Sequence, residues 1–284
     1  MKKKTTGAEA TEKIKTALVS VRRWEHGVVH QVEDQVAEEC AVALVYNDIS
    51  HAVMMATPED LEDFAVGFSL SEEVVQRSDE IFDIQVQPQA QGIEVNVTIT
   101  AAQFAKLKQR RRSLTGRTGC GLCGAESLQQ AIRPTAKVAA IEPIADTAIQ
   151  NAQHQFTTRQ PMQLLTGAMH GAAWCDRHGE IVLLREDVGR HNALDKLIGA
   201  LARLELPVSD GFMMISSRIS YEMVQKTSVA GVTVLAAVSA PTRLAIELAD
   251  AAGIALVAFV RHDRHAIYTH PQYVQTVANT ENHN

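Results

Sequence analysis

Two cysteines stand three positions apart in Cys120-Gly-Leu-Cys123, within Leu114-Thr-Gly-Arg-Thr-Gly-Cys-Gly-Leu-Cys-Gly124, where glycine occupies 116, 119, 121 and 124. That glycine density forbids a stable helix or central strand, so the pair is expected on a loop. Three chemistries compete for it. Structural zinc needs about four ligands, usually a second Cys/His pair at short spacing. The remaining cysteines, Cys40 and Cys175, are single residues in apolar, strand-like runs, so no structural metal is expected. A zinc deaminase needs His-x-Glu followed by Pro-Cys-x-x-Cys, with the Glu moving the proton. Here the cysteines precede His170, no proline precedes Cys120, and Ala172 stands where the Glu is required. The third chemistry is sulfur or redox work by a mobile thiolate, whose pKa nearby arginines lower. Arg117 and the run Arg110 to Arg112 supply them.

Weaker candidates lie further on. Asp187-Val-Gly-Arg-His191 falls between a strand and a helix, so Asp187, Arg190 and His191 either line a pocket or cap a helix beginning near Asn192. Ser216-Ser-Arg218 ends another strand and offers hydroxyls and a guanidinium to a phosphate. Met54, Met55, Met213 and Met214 read as core. Among the eleven histidines, only His262 and His265 suggest a ligand spacing.

The elements that must position these groups follow from periodicity. Val42–Tyr46 and Ala52–Ala56 flank Asn47-Asp48 and read as a hairpin. Thr57-Pro58-Glu59-Asp60 reads as a helix start, with Thr57 as N-cap and Pro58 at the first position. Ile81–Val86 and Ile93–Ile99 read as strands joined by a Pro88–Gly92 loop, and Ala101–Arg112 as a helix. One or two short helices are expected between Pro134 and Arg159. Beyond them, strands at 171–175, 181–185, 212–216, 233–237 and 255–260 alternate with helices at 193–204, 221–230 and 242–252. The fold class expected is α/β, a mixed sheet layered with helices, with a smaller N-terminal α+β lobe. The division is a flexible tail over 1–18, the lobe over 19–114, the mobile Cys loop over 115–124, an α/β domain over 125–274 and a tail over 275–284.

The chain has 284 residues, enough for one large or two modest domains. Its 27 Lys plus Arg against 33 Asp plus Glu give a net charge of −6, which argues against nucleic-acid binding. Four cysteines are too few for a disulfide-dense secreted scaffold. The basic start Met1-Lys-Lys-Lys leads into no apolar run, so no signal peptide is expected. The longest apolar run, Ile254 to Val260, falls far short of the ~20 residues that span a bilayer. A cytoplasmic protein with reduced thiols and no membrane partner is expected.

Gly116-Arg-Thr-Gly-Cys-Gly-Leu-Cys-Gly124 closely resembles the loop of the formate dehydrogenase accessory sulfurtransferases, the FdhD family. Val45-Tyr-Asn-Asp-Ile-Ser-His51, Phe64-Ala-Val-Gly-Phe-Ser-Leu-Ser-Glu72, Glu186-Asp-Val-Gly-Arg-His-Asn-Ala-Leu-Asp-Lys196, Ser216-Ser-Arg-Ile-Ser-Tyr-Glu-Met-Val-Gln-Lys226 and Tyr268-Thr-His-Pro271 resemble it in the same order. The resemblance implies a core similar to the cytidine deaminases. It implies a sulfurtransferase that takes sulfane sulfur from a cysteine desulfurase. The acceptor would be the bis(molybdopterin guanine dinucleotide) molybdenum cofactor needed for formate dehydrogenase activity. Cys120 matches the persulfide-carrying cysteine and Cys123 the second loop cysteine. Phe259-Val-Arg-His-Asp-Arg264 matches the cofactor-binding stretch, so Phe259, Val260, Arg261, His262, Asp263 and Arg264 are the expected contacts. Arg261 and Arg264 suit phosphate or guanine acceptors. His262-Asp263 replace a usual Pro-Gly turn, which bears on loop geometry. A homodimer is implied by the resemblance alone. The alternative reading is a non-enzymatic chaperone that binds the cofactor for formate dehydrogenase.

Overall fold

The computed structural model describes residues 16–113 and 135–276. Strands β1 (Thr16–Glu25) and β2 (Val28–Ala37) form a two-stranded antiparallel hairpin. It begins three residues inside the segment expected to be a tail. Its burial pattern is largely exposed, which is why periodicity gave no signal for it.

A four-stranded sheet follows, in the order β4-β3-β6-β5. Strands β3 (Cys40–Tyr46) and β4 (Ile49–Ala56) form the expected hairpin. Asn47 and Asp48 both take positive φ, the conformation a two-residue hairpin turn needs. Strands β5 (Ile81–Gln89) and β6 (Gly92–Ile99) run closer together than expected, leaving only residues 90 and 91 as their turn. Pro88 is tolerated because β5 is an edge strand. Helices α1 (Leu61–Ser71) and α2 (Ala101–Ser113) follow β4 and β6. Val42, Leu44, Tyr46, Phe64, Val95 and Leu107 belong to the shared core.

The Thr57 expectation is corrected. Helix α1 starts at Leu61, and its first-turn acids are Glu62 and Asp63. Thr57 is fully buried instead. Its backbone N–H donates to Asp187 Oδ2 and its Oγ1 accepts from the Val188 N–H. A Thr-Pro-acid string carries the same local signal whether it caps a helix or anchors a linker.

The second sheet has six strands in the order β13-β12-β11-β10-β8-β9. These are β8 (His170–Asp176), β9 (Ile181–Asp187), β10 (Gly211–Ile215), β11 (Val234–Ala237), β12 (Ala255–Arg261) and β13 (Arg264–Ile267). The β10, β11 and β12 strands are mutually parallel, and the remaining neighbours pair antiparallel. The expected mixed α/β sheet is therefore present. Residues β7 (Ile144–Ala145) and β14 (Val274–Gln275) form a small separate pair. The α-helices of the described residues after α2 are α3 (Asp146–Thr158), α4 (Pro161–Thr166), α5 (Arg190–Arg203), α6 (Tyr221–Val229) and α7 (Arg243–Ala252).

Side chains alternate across this sheet with period two. Trp174, Met213, Leu235 and Leu256 join Leu194, Leu197, Met223 and Ala249 in one core. Cys175, Phe212, Met214, Val234 and Val257 join Ile149, Ala152 and Phe156 in another. Met213 and Met214 are thus core as expected, whereas Met55 is 52% exposed.

Helices α1 and α5 join the two sheets at very short range. A Cβ on Gly67 would lie 1.7 Å from the Asp195 carbonyl oxygen, and one on Gly199 1.8 Å from that of Asp63. Neither backbone can yield without separating the helices. Replacing either glycine by alanine is expected to cost ~3 kcal/mol, the upper end of ordinary overpacking. Urea unfolding reads this directly, and an unchanged midpoint in Gly67→Ala would contradict the close crossing.

Candidate functional site

The catalytic pair expected from the sequence, Cys120 and Cys123, lies outside the described residues, as do Arg117 and the whole Cys loop. The other cysteines are positioned for packing. Cys175 is fully buried in β8, where burial pushes its thiol far above the ordinary range. Cys40 is half-buried at the start of β3, opposite Ala56. The chain leaves α2 through the basic residues Lys106, Lys108 and Arg110, the last donating to the Glu73 carbonyl at 2.9 Å. The described residues resume at Thr135. There Val138 N–H donates to Ala252 O at 2.9 Å, and Ser228 Oγ donates to Ala136 O at 2.7 Å.

Several sequence candidates meet at one edge of the six-stranded sheet. In the observed register, His170 at the start of β8 lies opposite Asp187 at the end of β9, while Ala172 lies opposite Ile215 at the end of β10. The C-terminal end of β10 thus lies on the same side of the sheet as the start of β8 and the end of β9, from which the chain leads into α5. Beyond β10, Ser216 Oγ accepts from the Gly171 N–H at 3.0 Å and sits 3.3 Å from His170 Nδ1. Gly189 caps α5, whose first residues are Arg190 and His191. His191 Nε2 meets the Glu222 carboxylate of α6. This lies where parallel strands end and the strand order reverses, the usual ligand crevice of an open α/β sheet.

Burial and neighbouring groups set the charge of His170 and Glu222. Burial, then Arg190 and His191, lower the His170 pKa, favouring its neutral form. The His191 hydrogen bond, outweighing partial burial, holds the Glu222 carboxyl below the usual carboxylate range. Asp187 leaves the candidate list for ligand contact, because it is fully buried and occupied. Its Oδ1 accepts from the Gly189 N–H and Asn192 Nδ2, and Lys196 Nζ lies 2.7 Å from Oδ2. The pocket-or-cap alternative therefore divides. Asp187 supports the helix start, while Arg190 and His191 remain partly exposed.

The 259–264 stretch is brought together at the far end of β12. Alternation slips between Ala258 and Arg261, and Phe259 carries φ +53, a strained value for a bulky residue. Its N–H donates to Ser239 O at 3.2 Å, just beyond β11. The slip turns Val260 into the same core as Val257, fully buried, so its side chain is withdrawn from any ligand. Arg261 and Arg264 face each other in register across the His262-Asp263 turn, all four exposed. His262 and His265 are not brought together as ligands. The His265 Nδ1 is taken up by Gln150 Nε2 at 3.0 Å, and His262 stacks edge-on against His154. His154 was not found by sequence reasoning, since nothing local links it to residue 262.

The FdhD/NarQ family model matches residues 37–275. The chain belongs to the FdhD/NarQ family. Family members named sulfur carrier protein FdhD align over most of its length. That of Cupriavidus necator is 54% identical, covering 90% of this chain and 89% of its own. That of Bordetella petrii is 52% identical, covering 84% and 86%. The crystal structure of a protein assigned as a formate dehydrogenase accessory protein of Desulfotalea psychrophila aligns with TM-score 0.72 and 22% identity. It covers 92% of this chain and 99% of that one. That likeness extends to the fold. Among the described residues no helix is long and apolar enough to cross a membrane.

The His170 environment has a pH signature. Because its folded pKa is depressed, its neutral form stabilises the fold above the unfolded value of ~6.5, and that contribution falls as pH drops below it. Glu222 acts in a lower window, losing its contribution as pH falls through its depressed folded pKa. Between about pH 7.5 and 5.5, His170→Gln should therefore lose less melting temperature than the unsubstituted chain. Equal losses in the two proteins would contradict the assignment.

Proposed function

We propose that this chain is a sulfur carrier serving formate dehydrogenase, working as a sulfurtransferase through a Cys120 persulfide. The observation that carries the reading is the Cys120-Gly-Leu-Cys123 loop in a chain 54% identical to a protein named sulfur carrier protein FdhD. The burial of Cys175 supports it by removing a rival nucleophile.

In this reading the Cys120 thiolate attacks the terminal sulfur of a cysteine desulfurase persulfide. The new S–S bond forms as the donor's S–S bond breaks, and the donor leaves as thiolate. This donor-to-Cys120 exchange needs no outside oxidant or reductant. Arg117 favours the attacking anion. The acceptor substrate is the bis(molybdopterin guanine dinucleotide) molybdenum cofactor. Arg261 and Arg264 hold its phosphate or guanine acceptors, with Phe259, His262 and Asp263 shaping the ledge. Val260 contributes backbone only. A homodimer in the cytoplasm, and a core akin to the cytidine deaminases, complete the proposal.

Cys120→Ala is expected to leave formate dehydrogenase as inactive as removal of the whole chain, measured as formate oxidation in cells lacking the native carrier. Equal activation by both proteins would instead favour the chaperone reading, in which the cysteines are incidental. Arg261→Ala with Arg264→Ala should weaken guanosine diphosphate binding by about tenfold or more, since hydrogen bonds to charged groups are worth roughly 1.5–3 kcal/mol each. Unchanged calorimetric affinity would remove both arginines from the site.

A further inference from the structure

The turn between β12 and β13 holds His262 and Asp263, whose side chains remain 79% and 89% exposed. Helix α3 passes beside it. On α3, Gln150 and His154 are four residues apart and so share one face. Gln150 Nε2 donates to His265 Nδ1 at 3.0 Å, tying α3 to β13. One helical turn further on, the His154 ring meets the His262 ring edge-on, with centroids 4.5 Å apart. Asp263 takes φ +56, a left-handed conformation that aspartate tolerates, and places its carboxylate 3.8 Å from His262 Nδ1. One potential ligand atom from each of His154, His262 and Asp263 lies within 4.8 Å of the other two.

We propose that His154, His262 and Asp263 form a binding site for a divalent zinc-class cation, bridging α3 and the β12–β13 turn. Two imidazoles and one carboxylate suit zinc and its neighbours, whereas magnesium and calcium prefer all-oxygen shells. Zinc bonds of ~2.0–2.1 Å in tetrahedral geometry put ligand atoms roughly 3.4 Å apart. All three side chains are exposed, which leaves their rotamers unconstrained by packing as the ligand atoms draw in. The Gln150–His265 bond already sets the turn over the helix, which lowers the ordering cost of binding. Three protein ligands leave one position to water. His265 is excluded as a fourth ligand through Nδ1, which Gln150 occupies. Arg261 and Arg264 oppose the cation and Asp263 offsets one charge, so the site is weaker than a closed four-ligand one. A bound cation fastens the Arg261–Arg264 ledge to α3. The site shares His262 and Asp263 with the proposed cofactor ledge, but zinc binding is read separately from sulfur transfer, so either can fail without the other.

The cysteine loop is the competing zinc ligand, so the test removes it. The untagged full chain carrying Cys120→Ser and Cys123→Ser is stripped with chelator and titrated with Zn2+ by calorimetry. One equivalent is expected to bind, with a Kd of about micromolar order. Adding His154→Ala or His262→Ala should weaken it at least tenfold, while His26→Ala, in the β1–β2 turn and outside the cluster, leaves it unchanged. Cobalt substitution should give visible bands without thiolate charge transfer, and these vanish in the His154→Ala protein. No binding in the chain carrying Cys120→Ser and Cys123→Ser, or affinity unmoved by His154→Ala, overturns the proposal.

Discussion

The structure depends on charges buried between α1 and α5. Lys196 and Asp187 are both fully buried, 2.7 Å apart, and Lys196 also donates to Thr57 O. Lys226 of α6 donates to both Asp195 oxygens, to Ser71 Oγ and to Glu72. Burial works against the Lys226 charge, but Asp195 and Glu72 outweigh it and raise its pKa. At the same seam Asp63 accepts from Arg185 and Arg203. Such pairs add little net stability over apolar packing, yet deleting one partner leaves a stranded charge costing ~3–5 kcal/mol. They act as a registry device: only one docking of the four-stranded side on the six-stranded side satisfies them all.

That constraint reaches the surface through Asp187. The same carboxylate that holds Lys196 and Thr57 also receives the Gly189 N–H and Asn192 side chain, and so fixes where α5 begins. The start of α5 sets Arg190 and His191, and these set the charge around His170. Asn192 additionally donates to Met55 O, binding β4 to the same point. The crevice at the sheet's end is thus held by groups from both sheets.

The second half of the chain was legible because its apolar residues alternate or recur at regular spacing. Leu194, Leu197, Ile198 and Leu201 face one core, as their period implies. Lys196 and Asp195 sit within that same helix as fully or nearly buried charges, and a sequence read one element at a time cannot show the partners that neutralise them. The resemblance implies a cofactor contact at Val260, and the inward turn of its side chain is not legible locally because it depends on the bulge and the Phe259 backbone geometry. The β1–β2 hairpin escaped because little of it is buried, so its sequence carries no clear face. Spacing and glycine content single out the Cys120-Gly-Leu-Cys123 pair, but its role rests on the family resemblance, and the loop lies outside the described residues. The ledge of Arg261 and Arg264 was legible as basic but not as a tight turn seated beside α3.

The central claim is that one loop cysteine carries the sulfur. It is tested most directly by incubating the intact chain with a cysteine desulfurase and cysteine, then mapping added sulfur by peptide mass spectrometry. The account predicts one extra sulfur atom on the peptide containing Cys120. Its absence there, or its appearance on Cys40 or Cys175 instead, would contradict the account.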